Sequence, residues 1–233
     1  MYYKNIPMQK HINWDDMFKT RICASNEELI NTEILKAHHI WTYPAYFYEN
    51  IQGALSTCYV RLALIEKLVL VSQALPKGIC LMILDGWRPV EVQKHLRENF
   101  YSEIQKKYND LSAMEQHEML DQFVALPSID PLRPSPHLTG GSVDVTLCDE
   151  HGNILDMGTG FDEIHPLSFT NALEDRKDYN VACKNRRILY WAILSAGFSN
   201  LPSEWWHFDY GNQLWAYMTQ QDSACYGVVS LDN

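Results

Sequence analysis

The sequence lacks the marks of a disulfide scaffold, a membrane span and a nucleic-acid-binding surface. Its six cysteines are scattered without a CxxC pair, which argues against both a disulfide framework and a thiolate metal site. The longest apolar region, 62–75, is interrupted by Glu66, Lys67 and Gln73 and therefore cannot span a bilayer. Only 19 lysines and arginines stand against 29 aspartates and glutamates, so the clustered cations that bind nucleic acid are missing.

Segments that would divide the chain or export it are also missing. The sequence contains no internal repeat, no low-complexity tract and no Gly/Ser linker, so residues 1–233 are predicted to form one domain. No apolar segment follows a basic start at the amino end, and we therefore expect no secretory signal and a cytoplasmic location. The hydrophobic fraction of 46% is ordinary for a globular protein with a full core.

The apolar residues that are present predict helices around a small sheet. Residues 1–50 are rich in aromatic side chains and are expected to be irregular. Helical spacing predicts helices over about 55–74, from Pro89 through Leu96, over 111–124 and over 184–196. With a few separated strands between them, these helices predict an α+β domain whose central sheet is largely antiparallel.

Three short segments carry the strand signals. The apolar run 80–84 predicts a buried strand, and 206–210 predicts a last central strand. The alternation over 142–147 predicts a strand with Val143 in the core and Asp144 on the opposite face. The four prolines of 126–136 predict a loop immediately before it.

The first candidate site segment runs from Ser135 to Asp144. His137 lies on the proline-shaped loop, and Gly140 and Gly141 permit a tight turn that could bring His137 and Asp144 to one ion. A solvent-exposed histidine and a solvated aspartate explain the same residues equally well.

The second segment is Glu204-Trp-Trp-His207. Side chains three apart lie on opposite faces of a straight strand, but a turn or a kink after Pro202 would bring them to one side. Taken alone, an exposed Glu204 and a core histidine are the simpler interpretation.

Together the two segments contain the residues of a hydrolytic zinc site. His137, Asp144 and His207 would bind one Zn²⁺ per chain and leave a position for water, with Glu204 as the general base. Arg88, in the segment Asp85-Gly-Trp-Arg-Pro, could neutralise an oxyanion or simply pair with Asp85.

These segments resemble the zinc D,D-peptidases of the D-alanyl-D-alanine dipeptidase type, peptidase family M15. The matching motifs are Ser-x-His-x-x-Gly-x-x-x-Asp, Glu-Trp-Trp-His and Asp-Gly-aromatic-Arg-Pro, with further similarity at 157–162 and 185–187. The resemblance covers about 55–210, which would be the catalytic core, and implies the hedgehog/D,D-peptidase type of α+β fold. Trp87 replaces the tyrosine that is frequent in this family.

The resemblance implies a role for each matching residue. His137, Asp144 and His207 would be the zinc ligands, and Glu204 the general base and acid. Arg88 would stabilise the tetrahedral intermediate. Asp162 would pair with the free ammonium group of a small dipeptide, and Ser135 would help to hold that substrate.

The sequence therefore predicts a metallopeptidase that hydrolyses D-alanyl-D-alanine or related small dipeptides containing D residues. The main alternative is a D,D-carboxypeptidase that acts on longer peptidoglycan stem peptides and shares the whole zinc site. A non-catalytic zinc-binding module is a third hypothesis, but it would need neither Glu204 nor Arg88. We expect neither a nucleic acid nor a membrane as a partner, and the sequence does not determine the oligomeric state.

Overall fold

A computed structural model describes residues 4–8 and 12–231 of the chain. The strands are β1 (Arg21–Ile22), β2 (Leu29–Asn31), β3 (Ile40–Thr42), β4 (Tyr59–Arg61), β5 (Ile79–Asp85), β6 (Ser142–Asp149), β7 (Ser199–Asn200), β8 (His207–Asp209) and β9 (Ser223–Ala224). The helices are α1 (Trp14–Met17), α2 (Ala45–Tyr48), α3 (Leu62–Ala74), α4 (Val90–Lys107), α5 (Ala113–Phe123), α6 (Asn180–Ser195) and α7 (Gln213–Met218). These elements confirm the predicted α+β fold.

The main sheet has five strands in the order β3-β5-β6-β8-β7. β3 runs parallel to β5, and every other neighbouring pair is antiparallel, as the sequence predicts. Two further sheets have two strands each, β1 with β9 and β2 with β4.

The two faces of β6 have different neighbours. Val143, Val145 and Leu147 point into the main core, which the sheet shares with apolar residues of α3 and α6. Asp144 alternates with these residues and therefore points to the other face, as predicted. The face of the sheet that carries Asp144 therefore lies opposite the face that packs on the main core.

One row of residues crosses three strands on that other face. Asp85 of β5 pairs with Asp144 of β6, and Asp144 pairs with His207 of β8. The register between β5 and β6 shifts after Ile83, so that Leu84 is an extra residue on β5. Such a bulge re-aims the following side chain, and it brings Asp85 to the face that Asp144 occupies.

The structure corrects three of the expectations. The first long helix begins at Leu62 rather than at 55, because Tyr59–Arg61 pairs with β2 as a strand. The predicted strand 206–210 is shortened to His207–Asp209 and is followed by α7 and β9. Within residues 1–50, the described part is not irregular, because it contains short helices and strands and supplies β3 to the main sheet.

The cysteines and the helices can also be described directly. All six cysteines have free thiols. Among the described residues, no helix combines the length and the hydropathy that crossing a membrane requires.

Candidate metal centre and its cleft

Three side chains with metal-ligating atoms meet on one face of the main sheet. The Nε2 atom of His137 lies 3.1 Å from Nδ1 of His207 and 3.4 Å from Oδ2 of Asp144. Nδ1 of His207 lies 3.1 Å from Oδ1 of Asp144. All three side chains are buried, and their ligand atoms lie within 4.8 Å of one another. The structure therefore brings together the three residues that the sequence singled out.

These separations fit a tetrahedral divalent metal. Metal–ligand bonds of about 2.0–2.1 Å put neighbouring ligand atoms of a tetrahedron roughly 3.3 Å apart. The three pairwise distances of 3.1, 3.1 and 3.4 Å match that value. Two imidazoles and one carboxylate occupy three positions and leave the fourth for a small ligand.

Local backbone geometry orients His137. It lies in a 3₁₀ turn, Pro136–Thr139, that ends at Gly140 with a φ of 68°. This left-handed conformation favours glycine, and a Cβ atom at Gly140 would lie 2.5 Å from the Leu29 side chain. The turn thus depends on Gly140, as the sequence suggested.

The outer nitrogen of each imidazole is also bound. His137 Nδ1 donates to the carbonyl oxygen of Gly86 at 2.7 Å, and His207 Nε2 donates to Oδ2 of Asp209 at 3.0 Å. Asp209 also accepts hydrogen bonds from Ser142 and Asn212. Such contacts fix the tautomer and the ring orientation, leaving His137 Nε2 and His207 Nδ1 to face the metal position.

Asp209 was not predicted from the sequence, although a signal for it exists. It lies two residues after His207 on β8, and residues i and i+2 of a strand share a face. A carboxylate at that spacing is therefore a natural partner for a strand-borne histidine.

The electrostatics of the site favour a cation. Burial alone would raise the pKa of Asp144, but His137 and His207 hold it well below its usual range. Burial alone would lower the pKa of His207, but Asp209 and Asp144 raise it well above its usual range. The carboxylates thus stabilise positive charge at the point where the imidazoles meet.

A cleft of about 550 Å³, partly open to solvent, contains these groups and Glu204. Glu204 follows a turn in which its N–H donates to the carbonyl of Leu201, so the kink expected before β8 is present. The Glu204 carboxylate is buried and lies 3.8 Å from Nδ1 of His207. Burial raises its pKa well above the usual range of a glutamate.

Arg88 crosses the floor of the cleft. Its Nη2 donates to Asp144 at 3.2 Å and to the Tyr46 hydroxyl at 3.0 Å. Its Nε donates to Asp85 at 2.8 Å and its Nη1 to Gln93 at 2.7 Å. Arg88 pairs with Asp85 and also lines the cleft, so its geometry is compatible with a structural ion pair and with the stabilisation of an oxyanion.

Asp162 also lines the cleft, and the Tyr46 hydroxyl connects it to Arg88. Its carboxylate accepts a hydrogen bond of 2.5 Å from the Tyr46 hydroxyl, and its backbone has a positive φ of 56°. Burial raises the pKa of Asp162 to about 7, although Arg88 opposes that rise. The sequence singled out Asp162 but not Tyr46, which is buried and joins Asp162 to Arg88.

Ser135 is not among the residues that line this cleft. Its hydroxyl donates to the carbonyl of Leu126 at 2.8 Å and accepts from the N–H of Ser128 at 2.8 Å. These bonds close the loop that leads into the His137 turn. A direct contact of Ser135 with substrate stays a prediction.

Comparison with known proteins gives consistent matches. The family model described as D-ala-D-ala dipeptidase, Peptidase M15, matches residues 49–226. A D-alanyl-D-alanine dipeptidase of Synechocystis sp. is 33% identical over 156 residues, which cover 60% of this chain and 63% of that protein. One of Escherichia coli is 34% identical over 140 residues, which cover 60% of this chain and 59% of that protein.

A more distant match extends further along both chains. A D-alanyl-D-alanine dipeptidase of Enterococcus faecalis is 26% identical over 160 residues, which cover 68% of this chain and 74% of that protein. The chain spans less than two thirds of the length of the Synechocystis and E. coli proteins.

Proposed function

Because this chain belongs to the peptidase M15 family, we propose that it is a zinc-dependent dipeptidase that hydrolyses D-alanyl-D-alanine or closely related small dipeptides containing D residues. One observation carries the proposal. Three metal-ligating side chains, a buried glutamate, an arginine and a partly buried aspartate line a single cleft. Each of these groups has a distinct task in hydrolysing a peptide that has a free amino terminus.

His137, Asp144 and His207 would hold the metal, and their nitrogen and oxygen donors suit zinc. Zinc in such a ligand set makes water nucleophilic near neutral pH and polarises a peptide carbonyl. The negative charge of the cleft also favours the binding of a divalent cation. Among the described residues that line the cleft, Arg88 is the one lysine or arginine, against four aspartates and glutamates.

Glu204 would move the proton. A general base works best when its pKa is near the operating pH, and burial raises the pKa of Glu204 in that direction. Its carboxylate lies next to His207, on the side of the cleft where the metal ligands converge. Glu204 can therefore accept a proton from the attacking water and deliver it to the leaving amine.

Arg88 would stabilise the oxyanion that forms when the carbonyl is attacked. The guanidinium has five N–H groups, and four of them are engaged by Asp85, Gln93, Tyr46 and Asp144. One N–H on Nη1 has no acceptor among the described residues and is available to a ligand. Because the other four bonds fix the plane of the group, Arg88 needs no reorganisation as charge develops.

Asp162 would bind the ammonium group of the substrate. A dipeptide with a free amino terminus supplies a cation that matches this partly buried carboxylate, which Tyr46 orients. A blocked amino terminus would leave the carboxylate desolvated without a counter-charge, and that costs binding energy. This group is what separates the dipeptidase from the D,D-carboxypeptidase alternative, because a long stem peptide has no ammonium group at this position.

The test compares D-alanyl-D-alanine with its N-acetyl derivative on the zinc-loaded protein. We expect kcat/KM for the free dipeptide to exceed that for the acetylated one by at least about 100-fold. The variant Asp162→Asn should narrow this preference while retaining zinc. Equal rates on the two substrates would favour the carboxypeptidase and refute the dipeptidase.

A second variant separates the enzyme from a non-catalytic zinc-binding module. Glu204→Ala should bind zinc with unchanged stoichiometry and should lose activity by about 100-fold or more. A zinc-loaded wild type that cleaves no dipeptide of any stereochemistry would support the module instead.

A further inference from the structure

Two segments of similarity to the family, 157–162 and 185–187, contribute only Asp162 to the proposed reaction. The structure brings the two segments into contact. Arg186, on α6, donates hydrogen bonds to residues 157–169 (the anchored loop), which contain Asp162. The second segment therefore has a physical connection to the residue proposed to bind the substrate.

The guanidinium group of Arg186 is enclosed by the anchored loop. The residue is 1% exposed, and its Nε donates to the carbonyl of Met157 at 2.7 Å. Its Nη1 donates to the carbonyls of Leu167 at 2.7 Å and Phe169 at 3.0 Å, and its Nη2 donates to the Thr159 hydroxyl at 3.2 Å. One side chain thus binds both the beginning and the end of the loop.

All four acceptors of Arg186 are neutral oxygens. Over the described ranges, no aspartate or glutamate forms a salt bridge with this arginine. A buried cation without a counter-charge is costly, and burial lowers the pKa of Arg186 to about 10. An apolar side chain could fill the same space at a lower cost, so the hydrogen bonds to the loop are what distinguishes arginine at this position.

The backbone of Asp162 needs such anchors. Its φ of 56° lies in the left-handed region, which is uncommon for residues other than glycine. Strained conformations of this kind persist only where the surrounding structure determines them. Thr159 precedes Asp162 by three residues and Leu167 follows it by five, so the bonds from Arg186 hold the chain on both sides of the strained residue.

The anchored loop is also bonded to the segment that carries the general base. The indole Nε1 of Trp205 donates to the Thr159 hydroxyl at 2.8 Å, and the Trp205 backbone N–H donates to the carbonyl of Ser168 at 3.1 Å. The Arg186 guanidinium lies 5.6 Å from the centre of the Trp205 ring. Because Trp205 directly follows Glu204, the loop and the general base share one set of contacts.

We propose that Arg186 is a positioning residue, which holds Asp162 at a fixed distance from Glu204 without touching the substrate. The inference rests on the proposed roles of these two carboxylates. Arg186 is not among the residues that line the cleft. Asn200 also holds Glu204, by donating from Nδ2 to its backbone carbonyl at 3.0 Å, so loss of the arginine should displace Asp162 rather than Glu204.

The separation between the two carboxylates matters because the substrate is small. In a dipeptide, one carbon atom joins the ammonium group to the carbonyl that is attacked. The group that binds the ammonium and the group that activates water must therefore stand at a matching distance, and small displacements of either are costly. A displaced Asp162 would weaken binding of the free dipeptide, whereas a substrate with a blocked amino terminus would lose nothing.

Arg186→Lys tests the inference on the zinc-loaded full chain. Lysine keeps the charge, but its one nitrogen cannot reach acceptors at both ends of the loop. We expect KM for D-alanyl-D-alanine to rise at least about tenfold, while kcat/KM for the N-acetyl derivative stays within about twofold. A variant that merely contained less folded protein would show a lower apparent kcat on both substrates and an unchanged KM.

Hydrogen exchange of backbone amides measures the loop independently of activity. Amides of 157–169 should exchange at least about tenfold faster in Arg186→Lys than in the wild type. A wild type that cleaves the free and the acetylated dipeptide at equal rates would refute the proposed function, and the exchange rates would then test the anchoring by themselves.

Arg187→Lys is the matched control. Arg187 is the next residue on α6 and pairs with both carboxylate oxygens of Glu174, and none of its hydrogen bonds within the described part of the chain goes to the anchored loop. Its substitution should leave KM, the preference for the free dipeptide and the exchange of the loop unchanged.

Thr159→Val keeps the test decisive if Arg186→Lys does not fold. It keeps the shape of the side chain and removes the hydroxyl that accepts from Arg186 and Trp205. KM for the free dipeptide should rise about three- to tenfold, as the loss of a neutral hydrogen bond predicts. A folded Arg186→Lys protein with the wild-type KM and the wild-type preference would overturn the inference, and so would wild-type values in Thr159→Val if the first variant does not fold.

Discussion

Replacing Asp209 by asparagine should weaken zinc binding without touching any of the three ligand atoms. The Asp209 carboxylate is fully buried and accepts hydrogen bonds from three donors: His207 at 3.0 Å, Ser142 at 2.7 Å and Asn212 at 2.6 Å. An asparagine keeps the shape but offers only one acceptor oxygen, so at least one donor would face an N–H group.

The size of the effect follows from these contacts. A hydrogen bond to a charged group contributes about 1.5–3 kcal/mol, and the change removes the charge next to the imidazole. Loss of such an outer partner of a metal-bound histidine typically lowers metal affinity about 10- to 100-fold, which corresponds to roughly 1.4–2.7 kcal/mol. The two figures agree, so Asp209→Asn should raise the dissociation constant for zinc by one to two orders of magnitude.

Competition with a chelating dye at neutral pH measures that constant. Ser142→Ala is the control, because it removes one neutral donor and leaves the Asp209 charge in place. We expect the control to change zinc affinity by less than about threefold. An Asp209→Asn protein that unfolds at the wild-type temperature in its zinc-free form and binds zinc as tightly as the wild type would refute the reasoning.

Three further predictions concern the substrate side of the cleft. The pKa of Asp162 is raised to about 7, so its carboxyl group is neutral below that pH and charged above it. The KM for the dipeptide should therefore fall as pH rises through about 7. Asp162→Asn should abolish this pH dependence of KM. Tyr46→Phe removes a hydrogen bond that lowers the pKa of Asp162, so the midpoint of the plot of KM against pH should move to higher pH. An unchanged midpoint would contradict the hydrogen bond between Tyr46 and Asp162. Arg88→Lys should lower kcat about 100- to 1,000-fold and reduce the melting temperature, because lysine cannot donate to all four acceptors that Arg88 now contacts. Steady-state kinetics and thermal unfolding measure these two effects. A variant with the wild-type kcat would exclude Arg88 from oxyanion stabilisation.

The three candidate metal ligands could be singled out from the sequence because two short segments together contain the residues of a zinc site, and local patterns indicate how His137 and Asp144 are presented. The alternation of Val143 and Asp144 fixes the side of the strand from which the carboxylate projects, and Gly140 marks the turn that orients His137. The α+β architecture could be predicted for a similar reason, since helix and strand periodicities are local properties.

Other parts of the site depend on contacts between distant segments. Tyr46 and Asp162 are 116 positions apart and meet only through the tertiary fold, so Tyr46 could not be distinguished from its aromatic neighbours by sequence alone. The bulge at Leu84 that turns Asp85 toward Asp144 is likewise visible only in the strand register. The start of the first long helix was placed too early because 55–61 contains no glycine or proline that would mark a boundary, whereas pairing of 59–61 with β2 competes there with helix formation.

The row of Asp85, Asp144 and His207 also has a consequence during protein synthesis. Its members come from three strands, and the last of them, β8, begins only at residue 207. A ribosome-bound chain that has not yet exposed β8 lacks the His207 imidazole, and His137 and Asp144 alone can hold an ion only weakly. Metal capture at this site would therefore be a late event in biogenesis, and a truncated translation product that ends before His207 would lack one of the three candidate ligands.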